Sequence, residues 1–156
     1  MVHLVNLRFG SSPHDFVVPD TSQLPVFSDN VVPSILVHLG IIDLSSAILG
    51  LDKLFPEVDA DALLLQPVAS TESAKNIPKE GPVVTSEQSY ALRAAAIHAC
   101  EVVVSAARTL AITDRDLLWV NSITLPELDG WLWAGAKDRA DYRRLGRFSL
   151  TNTEFF

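Results

Sequence analysis

Apolar positions recur at helical spacing in three stretches of this chain, and those stretches predict its frame. In the first, Leu24 to Ile42, the residues Val31, Val32, Ile35, Leu36 and Leu39 share one face. Pro33 lacks an N–H and suits a first turn, and it drives Val32 toward extended backbone. The helix is therefore expected to begin at Pro33 or just before it. Gly40 is placed to close it in the left-handed conformation. The second stretch opens at Thr85-Ser-Glu-Gln, a capping-box pattern, and predicts the longest helix, to about Leu110. Leu92, Ala95, Ala96, Ala99, Val102, Val103, Ala106 and Leu110 give it a broad face whose alanines allow close helix–helix approach. The third opens at Thr124-Leu-Pro-Glu, the same box with Pro126 in the first turn. It predicts a helix running through ELDGWLWAGAKDRADYRRL with Leu128, Trp131, Leu132 and Ala136 on one broad face.

The segments between are weaker. Met1 to Leu7 alternates as a short strand would, and Met1 to Gln23 is otherwise irregular, with turns at Gly10-Ser-Ser-Pro and Pro19-Asp-Thr-Ser. Asp43 to Leu51 reads as a second short helix capped by Asp43 or Ser45, and Asp59 to Leu65 as another turn or two. Gln66 to Pro82 carries Pro67, Pro78, Gly81 and Pro82 and reads as an exposed loop. Thr113-Asp-Arg-Asp is a turn. Phe148 to Phe156 reads as extended, with Phe155 and Phe156 docked into the core. The fold class is mainly α, with an irregular segment at 1–23 and a helical body at 24–156.

At 156 residues there is room for one domain with a real core. Hydrophobic residues make up 48% and mean hydropathy is +0.24, which is rich for so short a chain. Part of that surface is expected to need a cover, by self-association or by a further segment of chain. A net charge of −7, without a basic patch interleaved with aromatics, argues against nucleic acid as a direct partner. Cys100 is the single cysteine, so no internal disulfide forms. Met1 to Phe9 has no secretory pattern, and the run from Ile97 to Ala107 is interrupted by His98 and Glu101. These absences point to no membrane and to the cytoplasm, with the nucleus as a possible second location.

The candidate chemistry narrows by elimination. His3, His14, His38 and His98 are scattered without metal-ligand spacing, and His38 sits at the edge of an apolar face as a satisfied core histidine would. There is no GxGxxG, P-loop or GxSxG, so no cofactor is implied. Cys100 lies mid-helix among alanines and reads as structural. What remains is carboxylates beside aromatics. Asp29 lies at or before a helix start, in partial positive potential, with Phe27 two residues upstream. It is either a cap for the first N–H groups or an acid presented by the turn. Arg93 and Glu101 lie about 80° apart around a very apolar helix, where charges need partners or water. Either Arg93 or Glu101 is buried and bonded to the segment around Asp29 or to the C-terminal tail, or both are edge residues reaching to solvent. Asp129 and Trp133 are i, i+4 neighbours, which suits either a cradle for a flat, donor-rich heterocycle or a surface acid beside a packed Trp.

The run FSDNVVPSILVHLG resembles the motif of the queuosine salvage proteins, which act as queuosine 5′-phosphate N-glycosylases. Arg93 and Glu101, the Leu128-Asp129 and Leu132-Trp133 pairs, Asp138-Arg139 and the terminal Phe155-Phe156 are similar to that family's later motifs, in the same order. The resemblance covers roughly Leu24 to Phe156, the family's C-terminal half. It implies a helical fold similar to DNA glycosylases and hydrolysis of queuosine 5′-phosphate to release queuine, the base salvaged into tRNA. It also implies Asp29 as the catalytic carboxylate, with Phe27, Asp129, Gly130, Trp133 and Ala134 at substrate-binding positions. Gly130 stands where the family has an aromatic, and Ala134 where it has a second acid. Met1 to Gln23 does not resemble the family's N-terminal half, which supplies part of the pocket. The expectation is an enzyme completed by further chain or a partner; the alternative is a truncated or divergent non-catalytic module that keeps the scaffold.

Overall fold

The structure is a computed structural model that describes residues 2–10, 17–56, 59–60 and 80–151. It is mainly helical. Among the described residues the full helices are α1 (Val2–Phe9), α2 (Val31–His38), α3 (Ser86–Thr113), α4 (Leu125–Asp138) and α5 (Ala140–Arg143). Tight 3-10 turns cover Leu51–Lys53 and Arg115–Ser122, and two short strands, β1 (Glu80–Val84) and β2 (Arg147–Leu150), pair in parallel.

α2 is the centre. Every residue from Val31 to Val37 is buried, and the helix touches α3, α4 and β2. A helix apolar all round belongs inside a fold rather than on its surface. Val31, Val32, Ile35 and Leu36 pack with Ala96, Cys100 and Val104 of α3 and Leu128, Leu132 and Ala136 of α4. The small side chains on α3 allow this close approach. Val37 looks the other way, into a second cluster with Leu51, Val84, Leu92 and Phe148. Ser34, fully buried, satisfies its hydroxyl by accepting from the Phe148 N–H at 3.2 Å.

α2 starts at Val31, with Asn30 as N-cap, so Pro33 falls in the first turn where a missing N–H costs nothing. It ends at Gly40, whose φ of +69° lets the Gly40 N–H reach the Val37 carbonyl and the Ile41 N–H the Leu36 carbonyl, both at 2.9 Å. The capping boxes at Thr85/Gln88 and Thr124/Glu127 are both formed.

Four expectations change. Met1 to Leu7 was expected as a strand and 1–23 as irregular, yet Val2–Phe9 is helical. His3 and Asn6, about one turn apart, hold Thr21 and the Pro19 carbonyl at 2.7 and 2.8 Å, contacts that need a helical and not an alternating period. Asp43 to Leu51 is a series of turns, because the Asp43 carboxylate takes the Ser45 N–H at 2.8 Å and competes with helix. The third predicted helix breaks at extended Arg139 (ψ 126°), which turns to pair with Asp141 at 2.6 Å. The expected loop from Gln66 ends in strand β1, against which β2 pairs; its residues 66–79, like most of Asp59 to Leu65 and like Phe155 and Phe156, lie outside the described residues.

Two short strands are marginal alone. Here Phe148 and Val84 anchor them in the core, and Gly81 admits the Arg147 carbonyl so closely that any Cβ would overlap it. α3 is, by length and composition, long and apolar enough to cross a membrane. Its buried residues, Ser89, Leu92, Ala96, Cys100, Val104 and Ala111, form one stripe, and α2 and α4 lie against it. Elsewhere apolar side chains are open, including Leu4, Leu7, Phe27, Ile112, Trp119 and Trp131.

Candidate functional site

The segment before α2 and the first turns of α4 converge although a hundred residues separate them in sequence. α2 packs on α4, which brings the acid in front of one helix toward the acid in the second turn of the other. Asp29 is half-buried. Its Oδ1 accepts from the Val31 N–H at 2.7 Å, so it does cap the helix start, from one position before the formal N-cap. Burial raises its carboxyl above the ordinary carboxylate range. The N–H groups of Val31 and Val32, its own N–H and the charge of Arg147 oppose that rise.

Asp129 is also half-buried, and its Oδ1 is sealed from solvent with no hydrogen-bond partner among the described residues. Its carboxyl too is raised, by burial first. The N–H of Phe27 works against the rise, the neighbouring negative charge of Asp29 adds to it, and His3 on α1 works against it. Both carboxyl groups feel burial, and Asp129 also the charge of Asp29, so each takes up a proton more readily than an exposed carboxylate.

Arg93 and Glu101 part company. Arg93 donates from Nε to the Ser28 carbonyl at 2.7 Å and accepts the Ser28 hydroxyl on its own carbonyl at 2.9 Å, so it fixes the strand of chain that carries Phe27 and Asp29. Glu101 is exposed and, among the described residues, pairs with His98 at 3.7 Å, as a surface side chain would. Arg147 of β2 reaches the carbonyl of Ala136 near the end of α4 at 2.9 Å, while its Nε is buried without a partner among the described residues.

The other substrate-binding candidates are placed less tightly. The Phe27 side chain is 70% exposed, so it is the backbone of this residue, not its ring, that meets Asp129. Trp133 packs against the core on one side and carries the Lys137 ammonium over its ring, 4.4 Å from the centroid. Gly130 and Ala134 are exposed, and a Cβ at Gly130 would meet nothing within 4 Å. His38 is half-buried, donates from Nε2 to the Gly146 carbonyl at 3.0 Å and meets Phe55 edge-on. It lines a separate cavity of about 200 Å³ with Phe55, Glu80 and Pro82. No group of three or more metal-ligating side chains comes together among the described residues. Cys100 is buried, and its thiol is pushed up to about 11 by burial and by the charges of Asp129 and Glu101, which keeps it from acting as a nucleophile near neutral pH.

His3 of α1 and Arg147 of β2 act on the two acids and were passed over by sequence reasoning. A lone His in a segment read as irregular and an Arg near the extended end carry no local signal. Comparison of the chain with protein families, with curated proteins and with solved structures finds no match.

Proposed function

We propose that the chain carries the acid pair of a queuosine 5′-phosphate N-glycosylase, with a helical scaffold similar to the DNA-glycosylase fold. Asp29 acts on the ribose and Asp129 holds the released base. The observation that carries this reading is the approach of Asp29 to Asp129 with one Asp129 oxygen buried and unpartnered. A desolvated acceptor of this kind fits the N–H edge of a guanine-like base, which offers donors to an oxygen that otherwise lacks one. Breaking an N-glycosidic bond builds positive charge on the ribose, and an ionised carboxylate beside it stabilises that charge or attacks the anomeric carbon. Queuine is a 7-deazaguanine and lacks the N7 that other purines offer for protonation, so more of the work falls on the sugar-side acid. The N–H groups from α2 that hold Asp29 favour its ionised form, as that role requires.

A second reading rests on the open side of the same region. With Phe27, Gly130 and Ala134 exposed, the base side lacks walls among the described residues, as in a helical module that keeps the scaffold without the activity.

The experiment is to supply queuosine 5′-phosphate to the purified chain and follow queuine by chromatography. On the first reading release is slow, and Asp29→Asn lowers it by about a hundredfold or more, because Asn keeps the shape and removes the charge. Release that is unchanged in Asp29→Asn overturns the role of Asp29. Absence of both release and queuine binding at every concentration favours the second reading.

A further inference from the structure

The chain leading into Asp29, from Leu24 to Ser28, is neither helix nor strand, so contacts from outside must hold it. Burial alternates along it. Val26 and Ser28 are buried, and Phe27 between them is open. Val26 packs in the core with Ala96 of α3. Ser28 meets Arg93 of the same helix twice, once in each direction. Its hydroxyl donates to the Arg93 carbonyl at 2.9 Å, and the Arg93 Nε donates to the Ser28 carbonyl at 2.7 Å. Two opposed bonds between one pair of residues fix both the distance of the segment from α3 and its rotation about its own axis. The Ser28 carbonyl belongs to the peptide group that joins Ser28 to Asp29. That group is planar and includes the Asp29 N–H and Cα, so holding its oxygen aims both. The Asp29 N–H is in turn directed to the Phe27 carbonyl, at 3.1 Å. The Asp29 side chain leaves from the Cα so placed, and the Val31 N–H takes its Oδ1 at 2.7 Å.

We propose that Arg93 is a positioning residue of the Asp29–Asp129 site: through its reciprocal hydrogen bonds with Ser28 it sets the place and direction of the Asp29 carboxylate. Arg93 does this by geometry, through a backbone oxygen one residue before the acid; the cation whose charge acts on Asp29 is Arg147 of β2. An arginine suits the task because its planar fork holds a bond direction that a single ammonium on a flexible stem does not. The consequence for catalysis rests on the function proposed above. A carboxylate that stabilises a ribosyl cation works only at the right distance, and a misplacement of about 1 Å can cost roughly a hundredfold in rate. The base side is carried separately, by Asp129 on α4. Loss of the clamp is therefore felt in turnover more than in base binding.

The test compares the whole chain with Arg93→Met, which keeps an apolar stem and removes the donor, and with Ser28→Ala, which removes the hydroxyl and keeps the carbonyl bond. The first readout is a carboxyl-carbon NMR titration of Asp29. Burial holds that carboxyl above the ordinary range. Freed from the clamp it meets more water, so its midpoint is expected to fall in Arg93→Met. It is expected to fall less far in Ser28→Ala, which decides the matter if Arg93→Met does not fold. The second readout is queuine release from queuosine 5′-phosphate. Arg93→Met is expected to lose about tenfold to a hundredfold in kcat, with KM within about twofold of the wild type. A contact that merely ties the segment to α3 would lower Tm and leave the Asp29 midpoint and kcat of the folded variants where they were. That result overturns the proposal, and so does a loss carried by KM alone. If the midpoints move and the wild type releases no queuine, the positioning of Asp29 stands and the glycosylase reading falls.

Discussion

Asp129→Asn should make this protein more stable at neutral pH. In the folded chain the Asp129 carboxyl is partly withdrawn from water, one oxygen has no partner, and Asp29 adds a like charge, while the Phe27 N–H and His3 offset this only in part. The folded state therefore holds the proton more tightly than the unfolded state. A carboxyl raised in this way favours folding below its unfolded value, and that contribution is lost as pH rises through the folded value. Above it, the fold carries the cost of a desolvated charge. An unpartnered buried polar group costs about 1–3 kcal/mol. Asp129 is only half-buried and the charge is screened, which brings the expected gain for Asn to about 1 kcal/mol. In a chain of this size that is roughly 2–4 °C in Tm. Asn can keep the Phe27 N–H on its oxygen and offer its amide to Asp29. The assay is thermal unfolding by circular dichroism for the wild type, Asp129→Asn, Asp29→Asn and the double variant, from about pH 4 to 8. The Asp129→Asn advantage should grow with pH and shrink toward the acid end, as the wild-type carboxyl takes up its proton. The double variant should gain less than the sum of the singles, because either substitution alone already removes the repulsion between the two acids. An Asp129→Asn variant with no gain near pH 8, or with a gain independent of pH, would refute the buried acid pair.

Three further outcomes test the frame around the site. Gly81→Ala should destabilise the chain by about 1–3 kcal/mol, read as a fall in Tm, because the new Cβ overlaps the Arg147 carbonyl and forces β1 and β2 apart. Leu49→Gly should be neutral to stabilising, by up to about 1 kcal/mol in urea unfolding, since Leu49 is exposed and holds a φ of +62° that a Cβ disfavours. Cys100 should resist iodoacetamide in the folded chain at pH 8 and be labelled rapidly only in denaturant, because the thiol is buried and held at about 11; rapid labelling of the native chain would show that α2, α3 and α4 do not close over it.

The sequence by itself determined the helices whose signals are local. The boxes at Thr85 and Thr124 are read within four residues, and the structure forms both. Gly40 after an apolar period closes α2 as its freedom at positive φ predicts. The mainly helical class follows, since the long periodic stretches account for most of it. The two candidate acids were also legible, one by its place before a helix and one by its aromatic neighbour. Where the signal was short or ambiguous, contacts from elsewhere decided. α1 alternates like a strand, yet Thr21 and the Pro19 carbonyl select the helix by taking His3 and Asn6 at about one turn's spacing. The helix expected at Asp43 lost to a side chain that bonds its own turn. The pairing of β1 with β2 joins chain segments more than sixty residues apart, and no local pattern encodes a partner at that distance. The same holds for the site. That Arg93 takes the Ser28 carbonyl and that Glu101 does not share its burial are consequences of how α2 is enclosed by α3, α4 and β2. Burial and the field of neighbouring charges are properties of assembled elements, so the perturbed carboxyls of Asp29 and Asp129 exist only once the tertiary structure has brought them together.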